Sequence, residues 1–589
     1  MIPALRLPVL AFALFASPHV IEAQGLNNRL DSLAEAYFDE VLPFNPVGAT
    51  SIGDDRYNDR YVPSFAASVR NALHAVNVRY LAKLQAVPLD SLDAEHRLTH
   101  RVFGHSLQGA IEGHQYPSHL VPLNQFFSFV SSFAQLGAGT SLHPFRTVKD
   151  YDDFLSRMRG FENAVDTAIA NMREGKRTGI VQPRLLMERT LPQLSALITT
   201  NVDSSIFYGP VAKMPASFSA ADRARLTAAY RERIGTGTVP AIKRLHDFVR
   251  DEYMPAARET IGLGALPGGR EWYAYLVRNS TTTDLTPSAV HEIGLKELAR
   301  IHREMEGVKT EVGFKGTLPE FFKHLDEDPR YKFTSREEML AAYREAQARI
   351  DPLTDRIFDV KPKATYEIRP VEPFRERSAA RGSYMAASPD GSRPGVFYLN
   401  TYDATSRARD RIESLLLHEG SPGHHFQITI QRELTGIPRI RRFGGYSAYS
   451  EGWGLYAESI GKELGVYKDP YQYFGALASE LWRAIRLILD TGIHDKGWTR
   501  EQAMAFGRAN SSEPETVVSA EVERFIAIPS QGLTYKIGQL KITELRERAE
   551  RELGPKFDLK AFHRAVLESG ALPLSVLETK IDSWIAARK

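Results

Sequence analysis

Leu417-His418-Glu419-Gly420-Ser421-Pro422-Gly423-His424-His425 packs three histidines and a glutamate around a Gly-Ser-Pro-Gly segment. An imidazole beside a carboxylate, with further imidazoles close behind, is the arrangement of a zinc hydrolase. Two histidines hold the metal, and the glutamate, which is not a ligand, takes a proton from the water that the metal activates. The residues before it, Ala408 to Glu419, read as an amphipathic helix with Ile412, Leu415 and Leu416 on its apolar side.

The common spacing, His-Glu-x-x-His, sets the two histidines one turn apart on one helix face. Here position 422 is proline, and the next histidines come six and seven residues after His418. On a straight helix six residues span about 9 Å along the axis. Zinc–nitrogen bonds of roughly 2.0–2.1 Å do not bridge that gap, so the helix must bulge or break. Gly420, Pro422 and Gly423 permit this, because proline removes a backbone donor and glycine relaxes the backbone. The stretch therefore reads as His-Glu-x-x-His with two residues looped out. His424 is the expected second ligand and His425 its rival.

A third ligand is needed. Tyr446-Ser-Ala-Tyr-Ser-Glu451-Gly-Trp-Gly-Leu-Tyr-Ala-Glu458 reads as a helix with Tyr449, Trp453 and Tyr456 packing, and Glu451 lies 27 residues after His424. That leaves room for a turn and a returning helix, and a carboxylate completing a two-histidine site is a recurrent zinc geometry. Glu451 is the expected ligand; Glu458, two turns further along the same face, is a supporting partner or an alternative ligand. The chain has no cysteine, so any metal site must use His, Asp and Glu.

The 589 residues exceed one simple core and predict several cores or one large two-lobed body. Seventy-four basic against 72 acidic side chains leave a formal charge of +2. That balance provides no footprint for nucleic acid or an anionic membrane. Met1 to Arg6 with one positive charge, the apolar run Leu7 to Ala16 and the small Ala23 form a secretory leader pattern. Its run falls short of the roughly 20 residues of a membrane span. Cleavage is expected near Ala23-Gln24, and an exported chain, periplasmic or secreted, without stable membrane insertion. Without cysteine there is neither a disulfide nor lipid attachment at a cysteine.

From Asn27 onward helical periodicity dominates: Leu30–Leu42, Ser68–Leu84, Val148–Met172, Ala220–Tyr253 and Arg336–Phe358. Thr286 suits an N-cap with Pro287 in the first turn of a helix to Val308. Strand signals are confined to Ala364–Arg369 and Pro394–Asn400, separated by the turn-rich Arg381–Pro394. The expected fold is mainly α, a large two-lobed helical body with a small antiparallel β-ribbon beside the histidine helix. A lobe boundary near Gly262–Gly269 divides a leader (1–23), an N-terminal helical lobe (24–265) and a catalytic lobe (266–589).

Leu417–Gln427 resembles the signature of the bacterial family catalogued as domain of unknown function 885. So do Pro389–Asn400, Ser450–Glu458, Pro529–Gly538, the N-terminal Ala36–Glu40, Pro46 and Ala49–Gly53, and His291–Leu295. The resemblance covers nearly all of the chain past the leader. That family in turn resembles helical gluzincin peptidases of the thimet oligopeptidase, angiotensin-converting enzyme and carboxypeptidase Taq types. The resemblance implies a helical body split by a deep cleft, with an edge strand, here Val396–Asn400, that pairs with a peptide substrate beside the zinc. It also implies a tyrosine that stabilises the oxyanion of the tetrahedral intermediate. Tyr535 fits that role, with helix packing as its alternative, and Lys536 or Arg524 fit as carboxylate binders.

Other constellations carry less. His96-Arg-Leu-Thr-His100 has metal-like i, i+4 spacing, but Arg97 offers no base, and a solvated helix face is the simpler reading. His291-Glu292 lacks a following histidine. No Gly-x-Ser-x-Gly elbow points to a serine hydrolase. The expected activity is zinc-dependent hydrolysis of a peptide bond. His418, His424 and Glu451 hold Zn2+, Glu419 moves the proton and Tyr535 assists the oxyanion. A hydrolase of non-peptide amides and a silent zincin-like binding protein are the alternatives.

Overall fold

The computed structural model describes residues 18–372, 376, 379–388 and 393–589, with side chains from residue 24 onward. The charged start and apolar run of the expected leader lie outside these residues, as do positions 389–392 of the Pro389–Asn400 motif. Pro18 to Ala23 open a helix that runs to Val41.

The chain is mainly helical. Val148–Thr178 is set at one end by a Thr147/Asp150 capping box and at the other by Gly179 in the left-handed region, φ 78°. Thr286 caps Pro287–Glu311 as expected, accepting from Ala289 N at 3.2 Å. The stretch Ala220–Tyr253 is not one regular helix. π turns at Ile234–Thr238 and Val249–Tyr253 flank the α-helical Val239–Phe248. Pro240, which lacks the amide hydrogen an α-helical ladder needs, follows the first of these turns. Among the described residues no helix is long and apolar enough to cross a membrane.

Two large apolar clusters organise the interior. One joins Phe133, Phe154 and Phe161 to Ile301 and Met305, and to Leu481, Ile485 and Ile488 of the nearly wholly buried helix Pro470–His494. The other surrounds the histidine stretch: Leu416, Leu417, Phe426, Tyr449 and Trp453 pack with Phe397, Leu399 and the C-terminal Phe562 and Ile581.

The elements that frame the site are α1 (Arg336–Ile350), β1 (Tyr366–Pro370), β2 (Gly382–Met385), β3 (Gly395–Leu399), α2 (Ile412–Glu419), α3 (His424–Glu433), α4 (Ser447–Ser459), α5 (Pro470–His494), α6 (Glu515–Ala527) and α7 (Thr534–Leu553). Helix α2 is shorter than its apolar periodicity suggests, because Arg409–Arg411 forms a 3-10 turn before it.

The small sheet corrects two expectations. It is three-stranded and mixed, in the order β1-β3-β2, not an antiparallel ribbon. β1 runs parallel to β3, with Tyr366 opposite Gly395, and β2 runs antiparallel to it, with Gly382 opposite Leu399. Part of the turn-rich segment supplies β2. The strand at Val396–Leu399 is therefore central, with both edges paired, and does not offer a free edge. Its near-continuous apolar run Val396-Phe-Tyr-Leu, buried along almost its whole length, is what a central strand needs. β1 and the half-exposed β2 are the edge strands instead.

Candidate metal centre

Helix α2 ends where Gly420 N donates to Leu416 O at 2.8 Å. The chain then turns over residues 420–423 and restarts as α3 at His424, so the histidine helix breaks where its sequence requires. The turn is tight enough that a Cβ on Gly423 would lie 2.0 Å from His418 O, which only glycine avoids. From the facing helix α4, the Trp453 indole donates to Pro422 O at 2.8 Å and pins the turn. His424 is thereby folded back over His418, with ring centroids 4.6 Å apart and planes at 79°.

Helix α4 brings Glu451 to the same point. Its Oε2 lies 3.4 Å from Nε2 of both His418 and His424. The ligand atoms of the three residues lie within 4.8 Å of one another. Two imidazole nitrogens and one carboxylate oxygen converging in this way are a donor set that would suit a zinc ion. Glu451 Oε2 is buried and has no hydrogen-bond partner, an orphan acceptor aimed at the point of convergence.

The remaining members of the stretch take different places. Glu458 accepts from His418 Nδ1 at 2.8 Å, which fixes the ring with Nε2 toward the cluster. Glu458 is also 3.3 Å from Arg483 of α5, a residue without a sequence signal. Glu419 is 6% exposed with Oε2 unpartnered. His425 turns to the sheet: its Nδ1 is 2.9 Å from the Tyr384 hydroxyl. Burial lowers its pKa to about 4, so it is a neutral packing residue.

Tyr535 is nearly buried, its ring 6.2 Å from that of His418 at 19°. Arg524 Nη2 lies 3.5 Å from its hydroxyl and Arg486 sits 4.6 Å over its ring. Lys536 is not available to a substrate. Its side chain is fully buried and its ammonium is bound by Glu480 at 2.5 Å and Glu297 at 2.7 Å. An apolar helix face and a buried ion cluster look alike in sequence, because both are helical positions facing inward.

Histidines elsewhere have ordinary roles. Asp93 caps the helix of His96 by accepting from His96 N, and the His96 ring lies 2.8 Å from Asp93 and 3.2 Å from Asp31, so it is bound rather than solvated. His291 Nδ1 lies 2.8 Å from Thr491 Oγ1 in the core.

Electrostatics couple the cluster. Burial opposes charge on Glu419 and Glu451 alike. Glu451, flanked by His424 and His418, is nevertheless held well below the usual carboxylate range. Glu419 is pushed up, with the nearby Glu451 charge adding to the effect of burial. Burial also opposes a charged His418, but Glu451 and Glu458 outweigh it and raise its pKa to about 10. A divalent metal bound there would have to displace that proton. Zinc affinity is therefore expected to rise about tenfold per pH unit between pH 7 and 9 and to level off near 10. Chelator competition at several pH values checks this, and a pH-independent affinity contradicts it.

The fold and the cluster together define a helical protein with a buried site of two histidines and one glutamate. The chain belongs to the bacterial family described as protein of unknown function (DUF885), which matches residues 46–581. It is similar to a solved structure from Colwellia psychrerythraea at 26% identity and a TM-score of 0.89, covering 95% of this chain and 99% of that one. A second, from Shewanella oneidensis, has 19% identity and a TM-score of 0.74, covers 93% and 99%, and shares the fold. Both carry the description "putative lipoprotein". No curated protein matches the chain.

Proposed function

We propose that the chain is an exported, zinc-dependent hydrolase of peptide bonds of the gluzincin kind. The observation that carries this reading is the convergence of His418, His424 and Glu451 beside an unpartnered, buried Glu419 carboxylate. Zinc, when bound, would act as a Lewis acid on the scissile carbonyl and on water. Glu419, its pKa raised by burial, accepts the proton of the attacking water and passes it to the leaving amine. Tyr535, whose ring stacks 6.2 Å from that of His418, would donate a hydrogen bond to the developing oxyanion.

An extended peptide would seat against β2, one of the two edge strands, as an added strand. This edge adjoins the base: a Cβ on Gly382 would stand 3.1 Å from Glu419 Oε1. Export rests on the leader pattern at Met1–Ala23 and on the description of the two similar structures.

Incubating the zinc-loaded protein with peptide libraries and with capped small amides is the direct test. Cleavage of peptides that chelation stops and zinc restores is expected. Hydrolysis confined to non-peptide amides, or tight peptide binding without any turnover, overturns it.

A further inference from the structure

Asp351 follows the C-terminal end of α1 and Tyr366 opens β1; neither belongs to the metal cluster or to the proton path. The Tyr366 hydroxyl donates to Asp351 Oδ1 at 3.0 Å. Ser421, in the middle of the turn between α2 and α3, lies beside both polar groups and acts on the electrostatics of each. The same hydroxyl occupies the space a side chain on Gly420 would need, since a Cβ there would lie 2.5 Å from it. The Tyr366 ring also packs on His425 at 4.5 Å between centroids. One tyrosine–carboxylate pair thus grips the turn at Gly420, Ser421 and His425, on either side of the residue that must fold back.

Most of this is buried: Tyr366 is 8% exposed, Ser421 5% and His425 3%, while Asp351 is half-buried. Burial pushes the Asp351 carboxyl up to about 6, a desolvation cost that an apolar residue of similar size would not carry. A polar pair retained at such a cost calls for a task beyond filling space.

We propose that Asp351 and Tyr366 are positioning residues for the metal centre, holding the 420–423 turn in the shape that brings His424 back to His418. The proposal rests on the zinc reading above. The pair acts through the turn, so its effect falls on metal affinity before it falls on chemistry. Partners that orient metal ligands typically change affinity by about 10- to 100-fold when removed.

The test is zinc affinity of the full-length chain, by competition with a chromogenic chelator, for the parent, Asp351→Asn and Tyr366→Phe. The melting of each chelated protein and the visible spectrum of each cobalt-loaded protein accompany it. We expect zinc Kd to rise about 10- to 100-fold in both variants, with a shifted cobalt spectrum and little change in metal-free melting. Tyr366→Phe keeps the ring packed on His425, so it carries the test if Asp351→Asn does not fold. A folded variant with zinc Kd within about twofold of the parent, and an unchanged cobalt spectrum, assigns the pair to core packing and overturns the proposal. A parent that takes up no zinc sinks the metal reading and the clamp together; a parent that binds zinc with unaffected variants sinks the clamp alone.

Discussion

Glu419→Gln is expected to lower peptide turnover by about 10³-fold while the protein still binds zinc, because a positioned general base contributes roughly that much. The amide keeps the shape and the burial of the carboxylate but accepts no proton from water. The ligand set is untouched, since the two histidines and Glu451 meet without Glu419. The raised pKa of Glu419 shows that the fold prefers its protonated form. That preference stabilises the fold fully below the unfolded carboxyl pKa and is lost as pH rises through the folded value. The neutral variant should therefore melt no lower than the parent at neutral pH. Turnover by the zinc-loaded variant within about tenfold of the parent would remove Glu419 from the general-base role.

Gly538→Ala should be strongly damaging to the site's scaffold. Helices α4 and α7 cross with almost nothing between them. A Cβ on Gly538 would lie 1.9 Å from Ala448 O and 2.7 Å from Gly452 Cα. Neither neighbour is a side-chain tip that can swing aside, so the helices must separate. Overpacking of this kind costs about 1–3 kcal/mol, and more where backbone blocks the relief. Glu451 sits on α4 between the two contact points and Tyr535 one turn before Gly538 on α7. The shift therefore reaches both Glu451 and Tyr535, the proposed third ligand and oxyanion donor. A displacement of about 1 Å in such groups can cost about 10²-fold in turnover. The combined signature is lower melting, weaker zinc binding and slower hydrolysis. A variant that melts and binds zinc like the parent would show that the crossing tolerates a side chain.

Much of the site was legible because its signals are local. His418 and Glu419 are adjacent, and the need for a helix break follows from arithmetic on a rise of 1.5 Å per residue. The glycines and proline that allow the break stand in the same nine-residue stretch. The helical class was legible for the same reason, since apolar periodicity is a local property. Sheet order was less so. Val396-Phe-Tyr-Leu, an unbroken apolar run, was the available hint that β3 is central. The turn formers around Gly382–Met385 concealed the third strand.

Residue types and spacing along the chain thus determined a helical body, a broken His-Glu-His motif and a glutamate helix returning to it. Tertiary structure alone decided between neighbours of the same chemistry. His424 rather than His425 meets Glu451, because Tyr384 and Tyr366 draw the second ring into the sheet. Glu451 rather than Glu458 faces the converging nitrogens, because Glu458 is taken up by His418 Nδ1 and Arg483. Lys536 is consumed by Glu297 and Glu480, which lie far from it in sequence. In each case the deciding partner comes from a distant part of the chain. Direction and burial of a side chain are set by such partners, and spacing along one helix carries no record of them.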